Sequence, residues 1–134
     1  MITHHTFDSL GEENHGWLHA KHHLRFANYY EPKKMSFWEL LVINDDRIAP
    51  NTGFGKHPHD NMEIITFVRK GAISHEDSQG NKGRTTAGNV QVMSAGTGII
   101  HSEHNYEDEE TNIYQIWIMP KSKGISPKWG SAEF

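Results

Sequence analysis

Met62-Glu63-Ile64-Ile65-Thr66-Phe67-Val68 is a run of branched and aromatic residues closed by Lys70-Gly71. Such a run suits a pleated, half-buried strand. The same signature recurs on both sides at short intervals. Upstream, Phe37-Trp38-Glu39-Leu40-Leu41-Val42-Ile43 predicts a strand ended by Asn44-Asp45-Asp46, and Asn51-Thr52-Gly53-Phe54-Gly55 reads as a turn. Downstream, Ala72 to Glu76 begins a third strand, and Asp77-Ser78-Gln79-Gly80-Asn81-Lys82-Gly83 is a polar loop with the glycines of tight turns. Asn89-Val90-Gln91-Val92-Met93 is a strand broken by Gly96-Thr97-Gly98, and Asn112-Ile113-Tyr114-Gln115-Ile116-Trp117-Ile118 is the last, stopped by Pro120. Glu107-Asp108-Glu109-Glu110 reads as a solvated hairpin tip that blunts a sheet edge. No segment carries a sustained helical stripe. Short strands with turn signals between them predict an all-β sandwich or barrel.

The 134 residues fit a single domain, 1–134, without internal repeat, linker or low-complexity stretch. Residues 1–25 read as an irregular, solvated N-terminal segment and 121–134 as a C-terminal tail. The net charge of -4 attracts neither nucleic acid nor an anionic membrane, and the absence of cysteine excludes disulfides and thiol chemistry. No apolar run approaches the ~20 residues of a membrane span, and Met1-Ile2-Thr3-His4-His5 lacks the pattern of a signal peptide, so a cytoplasmic location is expected. Histidine is in excess, with 11 residues. Six of them, His4, His5, His15, His19, His22 and His23, lie in the N-terminal segment at spacings that fit neither strand alternation nor a helical ligand pair. Phe26-Ala27-Asn28-Tyr29-Tyr30 before Pro32 reads as a packed aromatic turn.

The remaining histidines carry the chemistry. In His57-Pro58-His59 the two imidazoles stand two apart, so a strand presents both on one face. Pro58 then points away, as befits an edge position. His101-Ser102-Glu103 repeats the logic with an imidazole and a carboxylate. Glycines precede each pair: Gly53 and Gly55, then Gly96 and Gly98. Three neutral imidazoles and one carboxylate, if the pairs meet, suit one divalent transition metal with positions left open. Iron(II) fits that donor set, and so do nickel, copper, manganese and zinc.

These stretches resemble a known family. Gly53-Phe54-Gly55-Lys56-His57-Pro58-His59-Asp60-Asn61-Met62-Glu63 is similar to the first cupin motif as pirins carry it, and Gly88 to Glu103 to the second. His75-Glu76-Asp77-Ser78-Gln79-Gly80-Asn81, Tyr114-Gln115-Ile116-Trp117-Ile118-Met119-Pro120 and Phe26 to Tyr30 are also pirin-like. The resemblance covers nearly the whole chain. It implies a cupin β-barrel, a double-stranded β-helix or jelly roll, with metal ligands at His57, His59, His101 and Glu103. Pirins usually bind iron; some cleave the flavonol quercetin with dioxygen, and nuclear members act as transcription cofactors. They typically have two cupin domains, of which this chain matches the N-terminal, metal-bearing one. Leu24-Arg25 departs from the Phe-Ser that the family favours, so N-terminal packing is expected to differ.

Two further residues are candidates. Strand parity along 57, 59, 61 and 63 would place Glu63 with the ligands, where many other cupins have a liganding glutamate; it reads equally as an acid or base behind the ligands or as a surface carboxylate. His75 reads as a rim histidine. The expected function is a metal-dependent dioxygenase of a small flavonol-like aromatic, with Glu103 or Glu63 taking the substrate's hydroxyl proton. The alternatives are a metal or redox sensor that binds a protein partner, and a site kept only as structural support. Phe37, Trp38, Tyr114, Ile116, Trp117, Trp129 and Phe134 would form an apolar face, which predicts a homodimer.

Overall fold

The computed structural model describes residues 4, 6–23 and 39–134 of the chain. After a short 3-10 turn at Phe7–Ser9 come eleven strands: β1 Gly11–Asn14, β2 Leu18–His22, β3 Leu40–Ile48, β4 Thr52–His59, β5 Glu63–Lys70, β6 Ala72–Asp77, β7 Lys82–Thr86, β8 Val90–Ser94, β9 Ile99–Asn105, β10 Thr111–Ile118 and β11 Lys128–Ala132. They form a seven-stranded sheet in the order β1-β2-β3-β10-β5-β8-β11 and a four-stranded sheet in the order β4-β9-β6-β7. Every pairing is antiparallel. The all-β expectation holds, and the described residues contain no helix long and apolar enough to cross a membrane.

The predicted strands around 62–68, 72–76, 89–93 and 112–118 are present. The irregular reading of residues 1–25 is partly corrected: β1 and β2 form a hairpin whose second strand extends the large sheet along β3. Leu18, Ala20 and His22 alternate inward there. The C-terminal tail contributes β11, paired with β8. Asn44-Asp45-Asp46 does not end β3 but continues it to Ile48, and residues 52–55 belong to β4 rather than to a turn. The supposed loop to Gly83 is shorter, because β7 begins at Lys82. Leu24-Arg25, the aromatic stretch 26–30, Phe37 and Trp38 lie outside the described residues.

Register stacks the inward side chains of the large sheet into rows. One row runs Val42, Trp117, Ile64, Met93, Trp129 across five neighbouring strands. The next inner row is polar: His22, Asn44, Gln115, Thr66, Gln91, all buried. Beyond it lie Ala20, Asp46, Ile113 and Val68. The two apolar clusters follow from this layering. Ile64, Met93, Ala95 and Ile99 form one, and Leu18, Ala20, Ile48, Val68, Ile73 and Ile113 the other. A polar sheet of side chains therefore separates two hydrophobic halves of one interior.

The expected apolar dimer face is reduced by this register. Trp117 and Trp129 turn inward onto the Ile64 cluster. Tyr114 and Ile116 remain outward, with the Arg69 guanidinium 4.3 Å above the Tyr114 ring, and Phe134 is exposed.

β4 and β9 approach closely at Gly53. A Cβ there would lie 2.4 Å from the Glu103 carbonyl oxygen and 2.5 Å from His104 Cα. Gly53→Ala must push the backbones of β4 and β9 apart rather than shift a side chain. It is expected to cost roughly 2–3 kcal/mol in urea unfolding. Unchanged stability would show that the β4–β9 contact yields freely.

Candidate metal centre

The two histidine motifs meet because β4 and β9 are antiparallel neighbours in which His57 lies directly opposite His101. A β-bulge between Phe54 and His57 turns both residues inward although their numbers differ in parity. The ring centroids of His57 and His101 are 4.4 Å apart, those of His57 and His59 4.9 Å, and those of His59 and His101 5.0 Å. One nitrogen from each of the three can lie within 4.8 Å of the others, a separation that one ion can bridge. Glu103 belongs to a second, overlapping group with His101 and His75, again within 4.8 Å. His101 and Glu103 share the inner face of β9, two residues apart.

His59 and His101 are in the neutral, ligating form. Burial holds His59 down at about 4, with His57 adding to the shift, and holds His101 down at about 3. His57 Nδ1–H donates to the Gly55 carbonyl at 2.6 Å, so Nε2 is the nitrogen that can serve as a ligand. Among the described residues, buried His101 Nε2 has no hydrogen-bond partner. A buried polar atom without a partner costs on the order of 1–3 kcal/mol unless something engages its lone pair. A divalent cation suits that lone pair, and the N/O donor set fits iron(II), nickel, copper, manganese or zinc alike.

Glu103 is buried and held across the interior by the polar row. Gln115 Nε2 donates to one carboxylate oxygen at 2.8 Å and Gln91 Nε2 to the other at 3.1 Å. The amides cannot turn round: Gln115 Oε1 accepts from the Trp117 indole N–H at 3.1 Å, and Gln91 Oε1 accepts from the Thr85 hydroxyl at 3.3 Å. Burial pushes the Glu103 carboxyl up to about 7 against these two hydrogen bonds, which favour the anion.

Glu63 is not brought to this group. The turn at 60–62, with Asn61 at φ 42°, breaks the parity that sequence counting assumes. Glu63 lies on the outer face of β5, accepts a hydrogen bond from Ser94 Oγ, and borders a cleft with Ile118 and Ile125. His75, expected at the rim, is instead buried beside His101. Its Nε2–H donates to Asp77 at 2.6 Å, and its ring stacks on Trp129 at 4.8 Å and 9°.

A cavity of about 180 Å³ opens on the cluster. His57, His59 and Glu103 line it together with polar Asn44 and Asp46, and Phe54, Leu18 and Trp117 supply apolar surface. A cavity of about 150 Å³ in another protein accepts benzene, so this one admits an aromatic ring. Asp46 is a residue that sequence reading missed. It is 2 % exposed, and its Oδ1 has no hydrogen-bond partner among the described residues. Burial, reinforced by Glu103, Asp45 and Glu13, pushes it up to about 7. Because the folded value exceeds the unfolded one, this carboxyl costs nothing below pH 4 and progressively more as pH rises towards 7. Metal-free Asp46→Asn should therefore match the parent at pH 4 and exceed it at pH 8 by up to about 4 kcal/mol in denaturant unfolding. Equal destabilisation at both values would mean that Asp46 is ionised and paired.

Comparison with known proteins agrees with this architecture. The Pirin family model matches residues 3–118. The chain is 63% identical over 134 residues to a pirin-like protein of Caulobacter vibrioides, covering 100% of this chain and 58% of the relative. It is 53% identical over 125 residues to a quercetin 2,3-dioxygenase of Escherichia coli K12, covering 92% of this chain and 54% of that protein. The crystal structure of the bacterial pirin YhhW from Escherichia coli in complex with nickel(II) superposes with a TM-score of 0.91 at 50% identity, covering 96% of this chain and 56% of that one. The chain thus spans a little over half the length of the relatives it matches. With a family model over most of its length, a close relative along all of it and the same barrel, the chain belongs to the pirin family.

Proposed function

We propose that this domain is the metal-bearing portion of a dioxygenase that opens a quercetin-like flavonol, with one divalent metal held by His57, His59, His101 and Glu103. Iron(II) is our first choice, followed by nickel, copper, manganese and zinc. The observation that supports the reading is that His57, His59 and Glu103 line one cavity large enough for an aromatic ring, while buried His101 lies within ligand reach of His57 and His59 on one side and of Glu103 on the other. The quercetin 2,3-dioxygenase relative and the nickel complex of a pirin support it.

A metal held there supplies Lewis-acid and redox chemistry towards an enolic hydroxyl and dioxygen. The chain's own residues do the rest. Phe54 and Trp117 give the ring apolar surface and exclude water from the reacting edge. Glu103, aimed by Gln91 and Gln115, takes the substrate's hydroxyl proton on a carboxylate oxygen. Asp46, which also lines the cavity, offers a polar contact to the substrate. Glu63 has no role in this reading. A cytoplasmic homodimer through the outward Tyr114–Ile116 face is the assembly we associate with it, and light scattering that returns the mass of a single chain at high concentration would remove that element.

Elemental analysis should find about one metal per chain, with most of it lost in the His57→Ala, His101→Ala double variant and retained when His4, His5, His19 and His23 are replaced. Reconstituted protein should consume oxygen in the presence of quercetin, and Glu103→Gln, which keeps the shape but removes the charge, should abolish uptake. No uptake with any of the five metals would overturn the enzyme in favour of a metal or redox sensor.

A further inference from the structure

A neutral imidazole has one proton and two nitrogens, and its neighbours decide which nitrogen carries it. His101 needs a bare Nε2 to serve as a ligand, so something must hold its proton on Nδ1. The side-chain atom that faces that nitrogen is His75 Nδ1, at 3.5 Å. We propose that Asp77 and His75, with Trp129 stacked on the His75 ring, fix His101 in the Nδ1–H tautomer and so make His75 and Asp77 positioning residues of the metal centre.

The direction of each hydrogen bond follows from Asp77. Its side chain is out of solvent and accepts from Gln79 N–H, Asn81 N–H and the Asn81 amide. Every one of these donors favours the carboxylate anion. His75 Nε2, 2.6 Å from Asp77 Oδ2, must therefore carry a hydrogen, since a bare nitrogen would set two acceptors against each other. A neutral His75 then has a lone pair on Nδ1, and the group that donates across the 3.5 Å gap is His101 Nδ1–H. The chain of donation runs His101 to His75 to Asp77, and it ends with His101 Nε2 bare. That is the buried atom without a partner among the described residues. His57 Nδ1 is held separately, by the Gly55 carbonyl.

Trp129 holds the relay in line. The two rings are nearly parallel, at 9°, so His75 cannot swing out of its plane without striking the indole. β11 anchors Trp129 opposite Met93, and Gly83, opposite His75 on β7, leaves room for it. A Cβ on Gly83 would sit 2.2 Å from the indole Cη2. The C-terminal strand thus reaches the metal centre through one ring.

This inference goes beyond the proposed reaction and can be tested without turnover. Nitrogen-15 NMR of the metal-free protein should show His101 protonated on Nδ1 and bare on Nε2. His75→Phe keeps a ring for Trp129 but removes both nitrogens; it should give a mixed His101 tautomer and weaken nickel(II) binding about 10- to 100-fold, the range for loss of a ligand's orienting partner. His75→Asn keeps an acceptor oxygen near the Nδ1 position and should restore the wild-type His101 signature. A wild-type spectrum with the proton on Nε2, or a His75→Phe protein with unchanged spectrum and unchanged nickel(II) affinity, would overturn the proposal. If His75→Phe does not fold, the wild-type spectrum decides alone. A wild-type protein that binds no nickel(II) yet shows the Nδ1–H tautomer counts against the proposed metal set and leaves the relay standing.

Discussion

The carboxylate of Glu103 is the constraint around which the interior is arranged. It projects from the small sheet into the middle of the molecule, away from water. An ionised group in that position costs several kcal/mol unless partners replace its hydration. Two glutamines from the large sheet do so, and each is oriented by a further donor, Trp117 for one and Thr85 for the other. These contacts tie β8 and β10 on one side to β9 on the other. They fix how the two sheets face each other, while the pairing of β4 with β9 inside the small sheet sets His101 opposite His57.

Layering makes this polar content tolerable. His22, Asn44, Gln115, Thr66 and Gln91 lie side by side, so each polar group finds another at strand spacing rather than a methyl group. His22 Nδ1 contacts Asn44 Oδ1 at 2.8 Å, and the Gln115 amide reaches Thr66 Oγ1 at 3.5 Å. Apolar rows above and below exclude water from the layer. Asp46 alone breaks the pattern, a carboxyl in a row otherwise formed by Ala20, Ile113 and Val68. A group that weakens the fold at neutral pH while facing a cavity is what a binding site, rather than a packing requirement, would retain.

Much of the barrel is legible from the chain because 62–68 and 112–118 combine branched and aromatic residues with clear stops. Period-two spacing also identifies His57 with His59, and His101 with Glu103, as side chains that share a face. What escapes depends on register. β1 is polar throughout, Gly11-Glu12-Glu13-Asn14, and is a strand only because β2 lies beside it. In β11, Trp129 is the one large apolar residue, and backbone pairing to β8 makes the strand. Asn44-Asp45-Asp46 resembles a stop signal, yet in β3 the first and last of these side chains face the interior, Asn44 in the polar row and Asp46 in an otherwise apolar one. Counting through His59 misplaces Glu63, because the turn at 60–62 resets the count. His75 draws its partners from β6, β9 and β11, a grouping that no local spacing could show.

The shared carboxylate also constrains how this lineage can change. Gln91, Gln115 and Glu103 sit on three strands and are far apart in sequence, yet each satisfies another's buried polar atoms. Replacing one of them leaves a buried polar atom of another unsatisfied, at a cost of about 1–3 kcal/mol. That is a large fraction of the stability of an ordinary domain. Single steps away from the trio are therefore costly, and concerted replacement less so. The three residues are expected to change together where they change at all.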